Sequence, residues 1–183
     1  ACDDFLYREQ LAALAAAGHS AQVSDLHFRH DTIEQMATTL LTEHDGPLAL
    51  VGTSMGGMLA LEAARQAPER MAGLAMLGSS ARPDTPELIR VRSEACELFA
   101  AGRMDEVLRA NVPFAFHPLH AKNAALVQAY LAMVRRAGAA QLVRQNLAVM
   151  AREDLRPHLP VMRCPALVAV GEADRLTPPE HAR

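Results

Sequence analysis

Apolar residues occur in two different rhythms along the first half of the chain. Residues 48–51 and 71–77 are continuously apolar, which is typical of strands that are buried on both faces of a sheet. Residues 4–17, 31–43 and 58–67 instead repeat their apolar side chains at helical spacing. Because strands alternate with helices, the pattern predicts an α/β fold, with a mostly parallel sheet and helices on both of its faces.

Local signals predict where these elements end. Gly18 provides a glycine stop for the first helix, Asp31-Thr32 provides an N-cap for the second, and Pro68 closes the third. Between the first two helices, the short segment of residues 19–26 contains the apolar residues Val23 and Leu26. We interpret that segment as a short strand.

A long helical segment interrupts the alternation in the second half. Between Pro83 and Pro160 no stretch has a strand pattern, whereas helical spacing recurs in residues 88–99, 126–134 and 142–150. Residues 165–171 then return to the pattern of a buried strand. The sequence therefore predicts three parts: a first core part over 1–82, an all-helical cap inserted over 83–160, and a second core part over 161–183.

Composition excludes some function classes. The chain has 183 residues, a net charge of −3 and basic residues scattered along its length, which argues against a nucleic-acid partner. No apolar run reaches the roughly 18 to 20 residues of a membrane span, so we expect no membrane partner. Only Lys122 among the 18 basic residues is lysine, an arginine bias that indicates a GC-rich bacterial genome.

The three cysteines, Cys2, Cys96 and Cys164, are widely spaced and include no CxxC pair. An odd number without such pairs predicts neither a disulfide framework nor a zinc site, and favours a reducing, cytoplasmic location. We expect no metal and no cofactor.

The most specific feature is the turn Gly52-Thr53-Ser54-Met55-Gly56, a Gly-x-Ser-x-Gly sequence between a predicted strand and a predicted helix. A sharp reversal there crowds the positions two residues either side of the serine, so we expect Gly52 and Gly56 to be required as glycines. The turn places the Ser54 hydroxyl at the carboxyl end of the strands, where α/β sheets bind ligands. It also directs the Met55 N–H toward the position of a developing oxyanion.

Two other interpretations of this turn are weaker. Ser54 could simply cap the helix that follows it. A phosphate-binding loop is the sharper alternative, because Gly52 and Gly57 have Walker A spacing. That motif continues with Lys-Ser/Thr, whereas Met58-Leu59 follow here, so the chain lacks the lysine that neutralises the phosphates.

With this turn the chain resembles the α/β-hydrolase superfamily, in its cap-bearing serine esterase and lactonase branch. Four stretches carry the resemblance, namely residues 51–57, the link 67–70, the strand 71–77 and the segment 164–179. The last is similar to the family segment Pro-x-Leu-Val-x-x-Gly-x-x-Asp-x-x-Thr-Pro. The resemblance implies that Asp174 orients the histidine of a Ser-His-Asp triad, with Glu172 as the fallback acid.

The histidine itself is missing from the expected place. In the family it follows the acid after one more strand, but His181 comes seven residues after Asp174 with no strand between them. The family's second oxyanion donor precedes the first helix, where this chain begins. We therefore expect both groups to lie outside these residues and the chain to be an internal piece of a longer hydrolase, inactive alone. The alternative is a short protein that kept the turn and lost catalysis.

The resemblance implies a serine hydrolase that cleaves a small-molecule carboxylic ester, lactone or related acyl compound. Acyl transfer, C–C bond hydrolysis and perhydrolysis use the same triad, so they stay open, as does a catalytically idle binding protein. The apolar faces of the cap could close a substrate pocket or pack against another copy, which leaves a homo-oligomer open.

Overall fold

Three parallel strands, in the order β1-β2-β3, form the sheet of the part described by the computed structural model, residues 3–182. They are β1 (Leu48–Thr53), β2 (Met71–Leu77) and β3 (Ala166–Ala169). The predicted α/β fold class is confirmed. Cys2 lies outside the described residues.

Helices make up most of the rest of the described chain. The α-helices are α1 (Arg8–Ala16), α2 (Leu26–Arg29), α3 (Ile33–Glu43), α4 (Met55–Gln66), α5 (Pro86–Ala100), α6 (Met104–Ala115), α7 (Ala124–Ala137) and α8 (Ala139–Ala151). A short 3-10 segment, Asp4–Tyr7, precedes α1. We call α5 to α8 the helical insertion, since they follow one another between β2 and β3. The predicted boundaries of core and cap stay a prediction.

Several predicted helix ends are confirmed by their local geometry. The Thr32 hydroxyl accepts a hydrogen bond from the Gln35 N–H at 3.2 Å, the N-cap contact expected for α3. Gly18, beyond the end of α1, has a φ of +81°. Helix α4 begins at Met55, three residues earlier than the apolar pattern indicated, because the glycines after Ser54 already belong to its first turn.

Two elements differ from the sequence prediction. The strand interpretation of residues 19–26 is wrong: the segment has no regular structure up to Leu26, whose buried side chain begins α2. Helix α6 was not predicted, since Pro113 near its end reads as a helix breaker. Burial of Leu108 among the other helices of the insertion stabilises α6 despite that proline.

The predicted strand at residues 165–171 exists as β3, but it is not buried. All four of its residues are exposed, with Leu167 at 59% and Val168 at 47%. The strand pairs with β2 on one side, from Leu74 opposite Ala166 to Leu77 opposite Ala169, and forms an edge of the described sheet. Its apolar pattern is the one typical of a strand with covered faces.

Two apolar clusters position the sheet and a third lies within the insertion. One joins α3, α4 and α8 around Met36 and Met58, and another packs Leu61 of α4 against Leu74 of β2. The third gathers buried side chains of all four insertion helices, including Leu131. Helix α4 therefore contributes to both of the clusters that contact the sheet, and this packing fixes its first turn.

A buried ion pair ties the two ends of the helical insertion together. The Asp84 side chain, 3% exposed, accepts from Arg92 Nε at 2.6 Å and from an Arg152 guanidinium nitrogen at 2.9 Å. Arg152, 8% exposed, also donates to the carbonyl of Arg82, and the Leu155 N–H donates to the Ala81 carbonyl at 3.0 Å. The segment that leads from β2 into the insertion and the segment that follows α8 are thus held together by these ionic and hydrogen-bond contacts.

Replacing Asp84 with Asn should destabilise the protein by about 3 kcal/mol, because removing one member of a buried pair leaves the Arg152 charge without compensation. Asp105→Asn is the matched control, since Asp105 pairs with Arg135 on the exposed surface, where such a pair contributes about 1 kcal/mol or less. Urea unfolding of the two variants compares the costs directly. Equal costs would contradict a structural role for the buried pair.

Candidate active site

Ser54 occupies the turn between β1 and α4 in a strained backbone conformation. Its φ of +54° and ψ of −118° make it the one non-glycine residue with positive φ in the described range 3–182. Such a conformation typically costs about 1–3 kcal/mol and persists only where surrounding contacts hold it. The residue is exposed, so the strained turn presents the hydroxyl to solvent.

Hydrogen bonds to the end of β2 hold this turn. The Ser54 N–H donates to the Leu77 carbonyl at 2.9 Å, which extends the β1–β2 ladder by one step. The Ser54 carbonyl accepts from the Ser79 hydroxyl at 2.7 Å and from the Gly57 N–H at 2.9 Å. The backbone of Ser54 is therefore held from both its N–H and its carbonyl.

Crowding at the turn falls on a different pair of glycines than predicted. A Cβ on Gly52 would lie 2.1 Å from the carbonyl carbon and oxygen of Gly56, which no side chain can tolerate. A Cβ on Gly57 would lie 2.6 Å from the Ser79 side chain. A Cβ on Gly56 would meet no atom within 4 Å, so the expected requirement for glycine at Gly56 is wrong. Gly56 already lies on the first turn of α4, beside open space.

Tyr7 contacts the turn from the free edge of β1, and no sequence pattern indicated a role for it. Its hydroxyl accepts from the Thr53 N–H at 3.0 Å and donates to the Thr53 Oγ1 at 2.9 Å. The two residues are 46 positions apart. No local pattern could indicate this contact, because it depends on how the segment before α1 packs against the edge strand.

Met55, whose N–H is predicted to bind the oxyanion, is the first residue of α4. The first N–H groups of an α-helix have no partner within the helix and carry its positive dipole end, so they favour a negative charge. The Met55 side chain packs against the cluster around α3 and α4, which fixes the direction of its backbone. The Met55 N–H therefore lies in the first turn of α4, directly after Ser54 in the chain.

Asp174 follows β3 in a tight loop with several fixed contacts. Its Oδ1 accepts from the N–H groups of Leu176 and Thr177, both at 2.9 Å, and its Oδ2 accepts from the Thr177 hydroxyl at 3.1 Å. A Cβ on Gly78 would lie 3.3 Å from Oδ2, so the carboxylate lies directly against that glycine. Glu172, the fallback acid, is exposed.

The end of β2 brings the two predicted triad members into one region. The Ser54 N–H is bonded to the carbonyl of Leu77, and Asp174 lies against Gly78, the next residue. The Gly78 N–H in turn donates to the Ala169 carbonyl at 2.8 Å, which joins β2 to the end of β3. Ser54 and Asp174 therefore flank the carboxyl end of the same strand.

The loop of Asp174 also contacts the helical insertion. The Arg175 guanidinium lies 4.8 Å from the ring centroid of Phe114, a partly exposed residue of α6. This cation–π contact places an apolar side chain of the insertion beside the acid loop.

His181 lies in the short 3-10 segment Pro179–Ala182, and its N–H donates to the Pro178 carbonyl at 2.8 Å. No hydrogen bond joins His181 to Ser54 or Asp174 within the described range. Its Nδ1 is buried without a hydrogen-bond partner there. The structure thus brings together the predicted nucleophile, oxyanion donor and acid, and it does not bring this histidine to them.

Over residues 3–182, no group of three or more His, Cys, Asp or Glu side chains is arranged to hold a metal ion. The rings of His117 and His120 lie 6.1 Å apart in a loop of the insertion. Within the same range, no helix has the length and apolar character needed to cross a bilayer.

Helix α4 carries a buried carboxylate behind the turn. Burial alone would raise the pKa of Glu62, but hydrogen bonds from Arg65 at 2.7 Å and Gln66 at 2.8 Å outweigh it and lower the pKa below its usual value. Glu62 therefore stays ionised at neutral pH.

Known proteins similar to this chain include hydrolases of the esterase type. The pimeloyl-[acyl-carrier protein] methyl ester esterase of Neisseria meningitidis is 27% identical over 152 residues, which cover 80% of this chain and 59% of that protein. The enzyme of the same name from Photobacterium profundum is 37% identical over 76 residues, covering 42% of this chain and 28% of that protein. The chain thus spans less than two thirds of the length of these curated relatives.

Solved structures give the same indication. A thermophilic esterase from Thermogutta terrifontis superimposes with a TM-score of 0.83 and 26% identity, covering 99% of this chain and 71% of that one. An enol-lactonase from Burkholderia xenovorans has the same fold, with a TM-score of 0.82 and 23% identity over all of this chain and 73% of that one. A family model described as serine aminopeptidase, S33, matches residues 14–183. The chain belongs to this S33 family of α/β-hydrolases.

Proposed function

We propose that the chain carries the nucleophile and the acid of a serine hydrolase that cleaves a small carboxylic ester, lactone or related acyl compound. The single observation that carries the proposal is the conformation of Ser54, held in a positive-φ turn at the carboxyl end of β1. Strain of this kind is concentrated at functional sites, because it is lost wherever nothing selects for it. The family and its esterase relatives support the same reaction class.

In the proposed mechanism the Ser54 hydroxyl attacks the substrate carbonyl carbon. A serine hydroxyl is a poor nucleophile at neutral pH, so a histidine must take its proton, and we expect that histidine from outside this chain. Asp174 would accept a hydrogen bond from that histidine and stabilise its cation. The histidine then protonates the departing alcohol, and water releases the acid from Ser54 in a second, equivalent attack.

The Met55 N–H would stabilise the oxyanion that forms when Ser54 attacks. A single donor of this kind typically contributes about 3 kcal/mol to the transition state, because it is already oriented when the charge develops. Its position at the first turn of α4 adds the helix dipole to the hydrogen bond. No metal or cofactor takes part in this scheme.

We propose that the acyl part of the substrate is mainly apolar. Phe114, which is 42% exposed, lies against Arg175 of the acid loop, so an apolar side chain is available beside Asp174. Relatives are named as methyl ester esterases of an acyl-carrier protein conjugate, so methyl esters of medium-chain acids are the first substrates to test. Hydrolysis of these esters, compared with lactones and with transfer to an added alcohol, tests the reaction class.

We further propose a cytoplasmic location. Cys96 and Cys164 are both free in the structure and half-buried, as expected for a protein that folds in a reducing compartment.

Asp174→Asn in the natively expressed protein should lower kcat by about 10⁴-fold, since the amide no longer stabilises the histidine in the required tautomer. Glu172→Gln is the matched control: it makes the same chemical change two residues away, on an exposed side chain, and should leave kcat unchanged. Steady-state ester hydrolysis compares the two. Loss of activity in Glu172→Gln with retention in Asp174→Asn would assign the acid to Glu172 instead.

A further inference from the structure

We infer that Tyr7 and Ser79 are positioning residues, whose two hydroxyl groups hold the strained nucleophile turn from opposite sides. Tyr7 binds the residue before Ser54, and Ser79 binds the carbonyl of Ser54 itself. We call this pair the hydroxyl clamp. The inference rests on the proposed function, because it assigns the clamp a role in the reaction of Ser54.

The Tyr7 arm satisfies a backbone group that the sheet leaves open. Thr53 is the last residue of β1, which forms an edge of the described sheet and pairs with β2 on its other side. Its N–H donates to the Tyr7 hydroxyl, which donates in turn to the Thr53 Oγ1. A hydroxyl that accepts from and donates to the same residue fixes both its backbone and its side chain.

The segment that carries Tyr7 is itself anchored. Asp3 accepts from the Phe5 N–H at 3.2 Å and forms an ion pair with Arg136 of α7 at 2.6 Å. Phe5 packs against the cluster of the helical insertion. The Tyr7 hydroxyl is therefore held in place from the insertion side, so it can restrain the turn.

The Ser79 arm lies in the interior on the other side of the turn. Ser79 is 5% exposed, and its hydroxyl donates to the Ser54 carbonyl at 2.7 Å. Its side chain also occupies the space that a Cβ on Gly57 would need. Ser79 follows Gly78, which lies against Asp174, so this arm joins the nucleophile turn to the acid loop.

The clamp acts on the position of a reacting atom. The strained φ of Ser54 relaxes unless its neighbours resist, and each hydroxyl removed frees one side of the turn. A displacement of about 1 Å at a reacting group can cost about 100-fold in rate. Both hydroxyls donate their hydrogen to the turn itself, so the loss should appear in kcat and not in KM.

The test uses Tyr7→Phe, Ser79→Ala and the double variant in the natively expressed protein, with a methyl ester as substrate and a fluorophosphonate as probe. Each single variant should lower kcat and the rate constant of probe labelling by about 10-fold, and the double variant by about 100-fold, with KM unchanged. Thr53→Val removes only one of the two Tyr7 contacts and should cause a smaller loss. Thermal unfolding, measured on the same samples, gives the fraction of folded protein at the assay temperature. Each rate is then expressed per folded molecule, so that a loss of stability is not counted as a loss of activity.

Two matched controls make the same chemical changes away from the turn. Tyr130→Phe alters the one other tyrosine of the chain, on α7, and Ser93→Ala removes a hydroxyl that donates within α5. Both should keep the wild-type kcat. Unchanged kcat and labelling rate in Tyr7→Phe and Ser79→Ala would overturn the clamp, even if their melting temperatures fell. Absence of probe labelling in the wild-type protein would instead overturn the proposed function, so the two failures are distinguishable.

Discussion

Ser54→Ala is expected to lower kcat for ester hydrolysis by about 10⁶-fold while leaving the fold intact, because it removes the attacking oxygen and little else. Alanine has the same backbone restriction as serine, so the positive φ at residue 54 is no more unfavourable in free energy for alanine than for serine. The Ser54 side chain is exposed, and its loss leaves no cavity. Steady-state kinetics and the melting temperature of the variant check the two parts of this result.

Ser93→Ala serves as the control for the chemical change alone, since its hydroxyl lies on α5 and donates to the Ile89 carbonyl. It should keep wild-type kinetics. Hydrolysis retained by Ser54→Ala would remove the proposed nucleophile and leave the turn as a helix cap or a binding feature.

Gly52→Ala should prevent the protein from reaching its native fold, or destabilise it by more than about 4 kcal/mol. The added Cβ would lie 2.1 Å from backbone carbon and oxygen atoms of Gly56, which cannot rotate away as a side chain can. Relief would require the strand-to-helix turn itself to open. Soluble yield and urea unfolding measure this effect.

Gly56→Ala is the matched comparison, four residues further on. Its Cβ would meet no atom within 4 Å, and it lies in the first turn of α4, where alanine is a better helix former than glycine by up to about 1 kcal/mol. This variant should therefore be as stable as the wild type or more so. Similar losses at both glycines would contradict the difference in crowding between Gly52 and Gly56.

The turn shows what could be predicted from the sequence and what could not. The strand, the turn and the helix were predictable because Gly52, Ser54 and the apolar runs around them are contiguous, so their constraints are local. The Gly-x-Ser-x-Gly pattern does not show which of its glycines are crowded. The second crowded glycine is Gly57 and not Gly56, because Ser79 packs against Gly57 from a distant part of the chain.

Long-range contacts explain the larger omissions. Tyr7 reaches Thr53 across 46 residues, and Asp84 meets Arg152 across the whole helical insertion, so neither pairing leaves a periodic pattern. Helix α6 was missed because Pro113 is a breaker in the local pattern, and tertiary burial of Leu108 decided otherwise. Residues 19–26 do not form the predicted strand, because an isolated Val or Leu does not specify pairing with another strand.

The sequence indicated which residue is the candidate acid, but it indicated only part of how its carboxylate is held. Asp174 follows β3, as its motif implied, but its fixed geometry comes from hydrogen bonds to Leu176 and Thr177 and from the close approach of Gly78. Gly78 has a φ of +51°, which favours glycine, and the absence of its side chain makes room for the carboxylate.

Labelling of the natively expressed protein with a fluorophosphonate, followed by intact mass measurement and mapping of the modified peptide, shows directly whether Ser54 is a nucleophile. We expect one adduct, on Ser54, which disappears in Ser54→Ala and forms about 10-fold more slowly in Tyr7→Phe. Folded protein that forms no adduct, or forms it on another serine, would contradict the claim that the Ser54 turn is a nucleophile site.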